Sequence, residues 1–337
     1  MAFGLWYFRR APTLSERSTI LLGDFENKTS DAIFDSGILK QALAIKLTGT
    51  PYISLLPDEQ IQESLGAMAR PADTQISADI AREICFRRGL KAYIAGSITG
   101  LGSSFALAIR AVEAESGTIL ASALERAESK EKILETMDIA SRKLRRELGE
   151  SFSSIQKNDT PLQEATTSSL EALRAYSEGV DSNIKGDLYE AIISVKRAVD
   201  LDPNFAQAYS LLSGLYYNTG QAQSGGSALK QAYQLKDRAS QVEKSNILYM
   251  YHRRISGDLY QAIEAAKIKS TYPMGDGFNA LGICYNAIGQ FEMALEAYRK
   301  QIQRFPGWWF YSNIAGTMPR MISSTSGQMQ IPTCRSS

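Results

Sequence analysis

Three carboxylates follow an apolar run near the amino terminus. The stretch GDFENKTSD (23–31) carries Asp24, Glu26 and Asp31 directly after the apolar residues 20–22. Paired carboxylates can act as general acid and base, and carboxylate clusters can bind calcium. The spacing does not fit an EF-hand loop, and no serine, cysteine or carboxylate of the sequence has a recognisable catalytic companion. We therefore expect a solvated loop here and no enzymatic activity in this chain.

The glycine-rich stretch, the histidine and the cysteines also give no sign of a catalytic, phosphate-binding or metal site. Three glycines lie in GSITGLGSS (96–104), but a phosphate cradle leads directly into a helix and a strand pattern follows here, which predicts a hairpin turn. The single histidine, His252, excludes zinc motifs that need two. Cys85, Cys284 and Cys334 match neither a metal-ligand spacing nor a disulfide framework. The sequence predicts no catalytic residue, no metal and no cofactor.

Composition and length set the frame for these residues. The chain has 337 residues, of which 44% are hydrophobic and 22% charged, as in ordinary globular proteins. Its length predicts two domains, or one domain and a repeat array. The 37 basic residues balance 36 acidic ones, so charge favours no nucleic-acid partner. No apolar run approaches the about 20 residues of a membrane-spanning helix.

The second half of the chain repeats itself. Glycines at 186, 220, 257 and 289 are separated by 34, 37 and 32 residues, and each is followed five places on by Ala or Gly. A period near 34 is that of the tetratricopeptide repeat, a helical hairpin, and stretches such as LGICYNAIGQFEMALEAYRK (281–300) resemble that family. We predict an all-α solenoid of four repeats and a partial fifth over 171–318. The third repeat is irregular, because it is longer and has Met250 where a small residue is usual.

The first half alternates strand and helix patterns. Strands are predicted at 17–27, 52–56, 91–101, 104–114 and 118–128, and helices at 35–47, 58–68, 77–89 and 130–148. The order β-α-β-α-α-β-β-β-α predicts an α/β sandwich with a mixed sheet over 17–150, ending in an antiparallel meander. The charges of RKLRR (142–146) are expected on a solvated helix face. Residues 151–170 are predicted as a linker and 319–337 as a disordered tail, since both are polar and lack a period.

Longer stretches carry a resemblance to known families. The stretches that carry it are LLGDFENKTSDAIFDSGILKQAL, AREICFRRGLKAYIAGSITGLGSSFALAI, KNDTPLQEATTSSLEALRAYSEG and AVDLDPNFAQAYS. The first half resembles the TolB amino-terminal-type domain of bacterial envelope proteins. Over about residues 15–317, the whole arrangement with these stretches resembles bacterial proteins in which a serine/threonine kinase domain and one transmembrane helix precede such a domain and tetratricopeptide repeats. The resemblance implies a sensory or interacting part of a membrane kinase-like protein. It also implies a membrane-associated, extracytoplasmic location, with a cytoplasmic one as the alternative.

The amino terminus fits that resemblance. In MAFGLWYFRRAP an aromatic, apolar run precedes Arg9 and Arg10, so it is too short for a membrane span and has its charges on the wrong side for a signal peptide. We interpret residues 1–16 as the stub of a transmembrane helix and a linker, with membrane contact through residues 3–8. A tucked-in terminus is the alternative, and two arginines on an outer face run against the positive-inside tendency.

The repeats offer the one surface of this sequence that we interpret as a possible binding site: the groove lined by the first helix of each repeat. Helix positions that line the groove of such solenoids are Tyr176, Asn183, Ser210, Tyr217, Asn218, Arg254, Asn279 and Asn286. Asparagine amides can pair with both polar groups of a peptide backbone, and tyrosines add apolar contact. A protein or peptide partner follows from this, although the same residues could be solvated or bonded within the array. The segment YMYHRR (249–254) is expected to swing outward and present its arginines at the groove's edge.

Three hypotheses for the function remain at this point. The first is a non-enzymatic protein-interaction module, a fragment or remnant of a membrane kinase-like protein. The second is the sensory portion of an intact serine/threonine kinase, for which an in-frame kinase sequence upstream of Met1 would decide. The third is a periplasmic transport or assembly factor, which the TolB-like half suggests but which would want a propeller domain in place of the repeats.

Overall fold

The computed structural model describes residues 18–35, 37–272, 275–304, 313, 314 and 317. The predicted membrane stub, the predicted tail and most of the partial fifth repeat lie outside these residues. The chain forms two compact units, residues 1–241 and 242–337, and each is described by itself.

The first unit begins with a five-stranded mixed sheet, as predicted. Its strands are β1 (Ser18–Lys28), β2 (Ile53–Leu55), β3 (Ala92–Leu101), β4 (Ser104–Glu113) and β5 (Ile119–Ala127). They lie in the order β2-β1-β3-β4-β5. Both β2 and β3 pair with β1 in parallel, whereas β3, β4 and β5 form the antiparallel meander that the sequence predicted. GSITGLGSS spans the β3–β4 hairpin, which confirms the predicted turn.

Helices cover the sheet in two layers. They are α1 (Ile38–Thr48), α2 (Asp58–Ala67), α3 (Ala78–Arg88) and α4 (Ile133–Glu147). α4 packs on β4 and β5, and α1 packs on β1, β2 and α4. α2 and α3 lie on the opposite face, where Ile84 and Cys85 of α3 pack with Leu21 of β1. Gly89 ends α3 in the left-handed conformation with φ 65°, as glycine commonly does at a helix C-terminus.

A buried ion network makes the predicted linker part of the folded unit. Residues 151–170 contain two short helices, α5 (Phe152–Asn158) and α6 (Leu162–Ala165). Lys46 of α1 contacts Asp138 of α4 at 2.8 Å and Asp159 at 2.7 Å, and it donates to the Thr160 carbonyl at 2.7 Å. The Asp138 carboxylate also accepts the Leu162 N–H at 3.1 Å. These contacts tie the segment to the α/β core, and a polar sequence without periodicity could not reveal them.

Arg145 completes the network and corrects the prediction for RKLRR. Its side chain has no exposed area, although the stretch was expected to be a solvated face. Nε and Nη2 of Arg145 bind both carboxylate oxygens of Glu150 at 2.8 and 2.9 Å, and Nη1 binds Asp159 at 3.0 Å. Glu150 also accepts from the Thr50 hydroxyl at 2.7 Å. The arginine is buried because partners later in the chain fold back onto α4.

Two helical hairpins complete the first unit. They consist of α7 (Leu170–Ile184), α8 (Leu188–Leu201), α9 (Ala206–Asn218) and α10 (Ala222–Gln234). The helices of each hairpin pack on one another, and α8 packs on α9. α7 also packs on α1, so the first hairpin rests on the α/β core.

The second unit holds two further hairpins. Its helices are α11 (Gln241–Tyr251), α12 (Leu259–Thr271), α13 (Gly277–Ala287) and α14 (Phe291–Arg304). A π-helical turn over His252–Ser256 follows α11 and ends at Gly257, where φ is 74°.

Packing at the hairpin crossings follows a rule of complementary size. A Cβ atom at Gly179 would overlap Val195, and one at Gly282 would overlap the ring of Tyr298. In the third repeat the bulky Met250 packs against a cluster that includes the small Ala266. Gly179, Met250 and Gly282 each lie seven residues before the glycine of their turn. This position is small where the facing helix carries a large side chain, and it holds the bulky Met250 where the facing side chain is small.

Candidate functional site

The groove positions of the first unit divide into buried and accessible ones. Tyr176 is 5% exposed, and its ring packs 5.0 Å from that of Phe205. Ser210 is also buried, so neither of these side chains presents itself to a ligand. Tyr217 is half-buried against the backbone at Gly225. Asn183 is half-buried and Asn218 is exposed, which leaves these two and the edge of Tyr217 as contact points.

In the second unit Asn279 already has partners, and the acceptor of Asn286 is buried. The Asn279 carbonyl oxygen accepts from the Asn313 amide at 2.8 Å, and its backbone N–H donates to Gln301 at 3.3 Å. The Oδ1 atom of Asn286 is buried and has no hydrogen-bond partner among the described residues. A buried acceptor left unpaired is costly, and because this atom is buried it does not present itself to a ligand.

Of the two arginines after α11, Arg253 packs near an aromatic ring and Arg254 is exposed to solvent. The Arg253 guanidinium lies 6.0 Å from the centre of the Tyr249 ring, a cation–π distance. The Lys269 ammonium lies 5.5 Å from the same ring and pairs with Asp276 at 2.5 Å. The Tyr249 ring thus packs against Arg253, whereas the sequence predicted both arginines at the groove's edge.

The carboxylates near the end of β1 are held in separate ion pairs. Asp24 contacts Lys40 at 2.7 Å and accepts the Ile76 N–H at 2.7 Å. Asp31 contacts Lys130 at 2.8 Å, and the hydrogen bonds from Lys130 and from the Ile33 N–H lower the pKa of Asp31. The side chain of Asp24 is 28% exposed and that of Asp31 34%. They form partly buried ion pairs rather than the expected solvated loop.

A charged cleft lies where the α/β core meets the first hairpin. Its volume is about 240 Å³, and its lining combines core residues Asp31, Ala32, Ile33 and Lys130 with Glu171, Arg174, Ala175, Glu178 and Arg197 of α7 and α8. Arg174 pairs with Glu178 at 2.9 Å. Three cations and three carboxylates balance in this lining, so the cleft joins two parts of the unit without favouring an anion or a cation.

Asp181 of α7 and Asp58 of α2 lie near Lys40, and their surroundings disfavour the ionised form of both carboxylates. The side chains of Asp181 on α7 and of Asp58 are exposed. Desolvation by the surrounding chain and the charges of Asp58 and Asp24 raise the pKa of Asp181, while Lys40 and Lys185 act to lower it. Desolvation likewise raises the pKa of Asp58 at the start of α2. Both carboxylates are therefore less favourably ionised in the folded chain than in the unfolded one.

Two of the three cysteines are buried thiols, as predicted. Cys85 and Cys284 have no exposed area. Burial raises the pKa of Cys85 to about 12 and that of Cys284 to about 11. Within the described ranges, no group of three His, Cys, Asp or Glu residues is placed to hold a metal ion.

Native Cys85 and Cys284 should react with a thiol reagent more than about 100-fold more slowly than in denaturant, because the thiolate is the reactive species. Peptide mapping by mass spectrometry after timed labelling at pH 8 would follow each cysteine separately. Rapid native labelling of Cys85 would show that the core between α3 and the sheet opens readily.

Comparison with known proteins bears mainly on the last complete hairpin. Residues 276–307 match the tetratricopeptide repeat family, and this range contains α13 and α14. No curated protein matches the chain. Of the described helices, none combines the length and apolar character needed to cross a bilayer.

Several solved structures are similar to parts of this chain, with low sequence identity and low TM-scores. The LpoB C-terminal domain from Escherichia coli is 18% identical, with 35% of this chain and 87% of that chain covered and a TM-score of 0.29. A crystal structure of MamA is 24% identical, with coverage of 44% and 90% and a TM-score of 0.30. The lipoprotein GNA1162 from Neisseria meningitidis is 17% identical, with coverage of 33% and 83% and a TM-score of 0.25. At these TM-scores the likenesses carry no conclusion about function.

Proposed function

We propose that this chain is a non-enzymatic protein-interaction scaffold whose helical repeats bind an extended peptide. The observation that carries the proposal is the hairpin α13–α14, which matches the tetratricopeptide repeat family. Helical repeats of this kind stack into extended binding surfaces. The exposed side chains of Asn218 in the first unit and of Arg254 in the second support the proposal.

Arg254 is the residue through which the proposal is tested. A guanidinium pairs bidentately with a carboxylate, so acidic peptides are the preferred ligands. Arg254→Ala should weaken binding of acidic decapeptides by about tenfold, or about 1.4 kcal/mol, and leave neutral ones unchanged in fluorescence anisotropy. Lys267→Ala is the matched control, because Lys267 is an exposed cation of the same unit that pairs with Glu264 on α12. The proposal fails if the parent chain binds no peptide of the panel, or if Arg254→Ala binds like the parent.

The resemblance of the sequence supports a more specific origin within the same proposal. The α/β domain (17–150) and the repeats (171–318) would be the sensory and interacting portion of a membrane-anchored, kinase-like signalling protein on the extracytoplasmic side of a bacterial membrane. A periplasmic assembly factor is the alternative. Sequencing the DNA upstream of Met1 tests the kinase origin: an in-frame glycine-rich loop and a His-Arg-Asp catalytic loop would support it, and an in-frame stop codon with a ribosome-binding site would count against it.

A further inference from the structure

One face of the sheet is only half covered. α4 packs on β4 and β5 from one side, where Leu107 and Ile109 are fully buried. On the other side α3 packs on β1 and β3, and no described helix packs extensively on β4 or β5. We call the side of β3, β4 and β5 that points away from α4 the outer face.

Small side chains form the floor of the outer face. The register places Ser97 opposite Ala108 and Ala95 opposite Arg110, so these side chains share one side of the sheet. Ala106 continues the floor, and all three alanines and the serine are only half-buried. Small residues let another element approach a sheet closely, and a helix laid here beside α3 would complete the second layer of the sandwich.

Large apolar side chains rim this floor. Leu124 of β5 is 66% exposed, and Phe86 of the neighbouring α3 is 86% exposed. Ile119 and Leu101 are also more than half exposed, at 52% and 51%. Leu124 lies opposite Ala108 and Ile119 opposite Val112, so both belong to the outer face. Contiguous exposed apolar surface of this kind commonly marks a protein-interaction site.

The charges of the outer face select the partner. Arg110 and Arg126 lie on it, and its positions in the described strands β3–β5 include no aspartate or glutamate. Arg82 of α3 lies at one end, bound to the carbonyl oxygens of Ala114 and Glu115 at 2.8 and 2.6 Å. Of the two acidic residues of α3, Asp79 lies near Tyr93 of the outer face and Glu83 pairs with Arg87 at 2.7 Å, which leaves an excess of positive charge.

We propose that the outer face docks an amphipathic helix of a partner protein, with an apolar stripe flanked by acidic residues. The small side chains of the floor beside the exposed Leu124 let the apolar stripe of a helix approach the sheet closely. The arginines match the acidic flanks, as complementary charges do across protein interfaces. This site is separate from the repeat groove and would let the scaffold hold two partners.

Two synthetic peptides test the proposal on the full chain. Each is an 18-residue helix with a leucine stripe, flanked by glutamates in one peptide and by lysines in the other. Fluorescence anisotropy should show that the parent chain prefers the glutamate peptide. Arg110→Glu combined with Arg126→Glu should weaken the glutamate peptide at least tenfold and favour the lysine peptide, with an unchanged circular dichroism melt.

A matched pair of variants keeps the test decisive if the double variant folds poorly. Leu124→Ser should weaken binding of the glutamate peptide, whereas Tyr189→Ser, on a 70% exposed residue of α8, should not. The proposal is overturned if the parent chain binds neither peptide, or if Leu124→Ser and Tyr189→Ser behave alike. It is also overturned if anionic phospholipid vesicles bind the parent chain through Leu124 while neither peptide does, which would make the outer face a membrane contact.

Discussion

Arg145→Ala is expected to lower the free energy of unfolding by about 3–5 kcal/mol, the range for breaking a buried ion pair from one side. The side chains of Arg145 and Glu150 have no exposed area, and that of Asp159 is 7% exposed. Removing the guanidinium leaves Glu150 buried without its cation, whereas Asp159 keeps Lys46 at 2.7 Å. Urea unfolding followed by far-ultraviolet circular dichroism measures the loss.

Arg142→Ala is the matched control for this prediction. Arg142 contacts the same Asp159 at 3.3 Å, but its side chain is 44% exposed, so its loss should cost less than about 1 kcal/mol. Equal losses in the two variants would show that burial of Arg145 adds nothing to the network.

The pH dependence of the Arg145→Ala defect has a definite sign. Burial acts to raise the pKa of Glu150, but the hydrogen bonds and charge of Arg145 outweigh it and hold the pKa below its usual value. This carboxylate therefore stabilises the fold above its unfolded pKa, and the contribution is lost as pH falls through the folded one. In the variant, Glu150 is buried without its partner and protonation relieves it. The gap between parent and variant should narrow in acid.

The sequence predicted the arrangement of the α/β half because its signals are local. Alternation along 104–114 follows from one strand face packing on α4, and the fully buried Leu107, Ile109 and Ala111 lie on that face. The stop at Gly89 follows from the conformational freedom of one residue. Such signals lie within a few neighbouring residues and can be read without knowing the fold.

Burial of charge could not be predicted in the same way. Arg145 lies one residue from the apolar stripe of α4, and only its partners decide whether it faces inward. Lys46 reaches the network from α1, about a hundred residues earlier. The segment around Asp159 looks like a polar linker until these contacts are known.

For a related reason, the sequence could not predict which of the groove side chains are accessible. A family register counts residues from the turn glycine, and it assumes that each helix meets the same neighbours. Tyr176 meets Phe205 at the start of the next hairpin and is buried by it. Asn218 lies at the end of α9, with no such neighbour across it, and stays exposed. Accessibility therefore depended on the packing of each hairpin.

Gly282→Met is expected to destabilise the second unit by more than the about 1–3 kcal/mol typical of overpacking. A Cβ atom at Gly282 would already overlap the ring of Tyr298, which is 1% exposed and cannot move into solvent. Thermal melts measure the effect. Gly214→Ala, in the interior of α9 with no atom within 4 Å of the new Cβ, should instead stabilise the chain by up to about 1 kcal/mol, since alanine is the better helix former.

Tyr298→Ala separates steric overlap from a general intolerance of side chains at position 282. Combined with Gly282→Met, it reproduces the pair of the third repeat, where Met250 packs against the cluster containing Ala266. The double variant should lose less stability than the two single variants together, with a favourable coupling of about 0.5–3 kcal/mol for residues in contact. Recovery should be partial, because Tyr298→Ala also removes a large side chain that is 1% exposed. Strict additivity would show that the crossing is not governed by complementary size, and that the irregular third repeat tolerates Met250 for another reason.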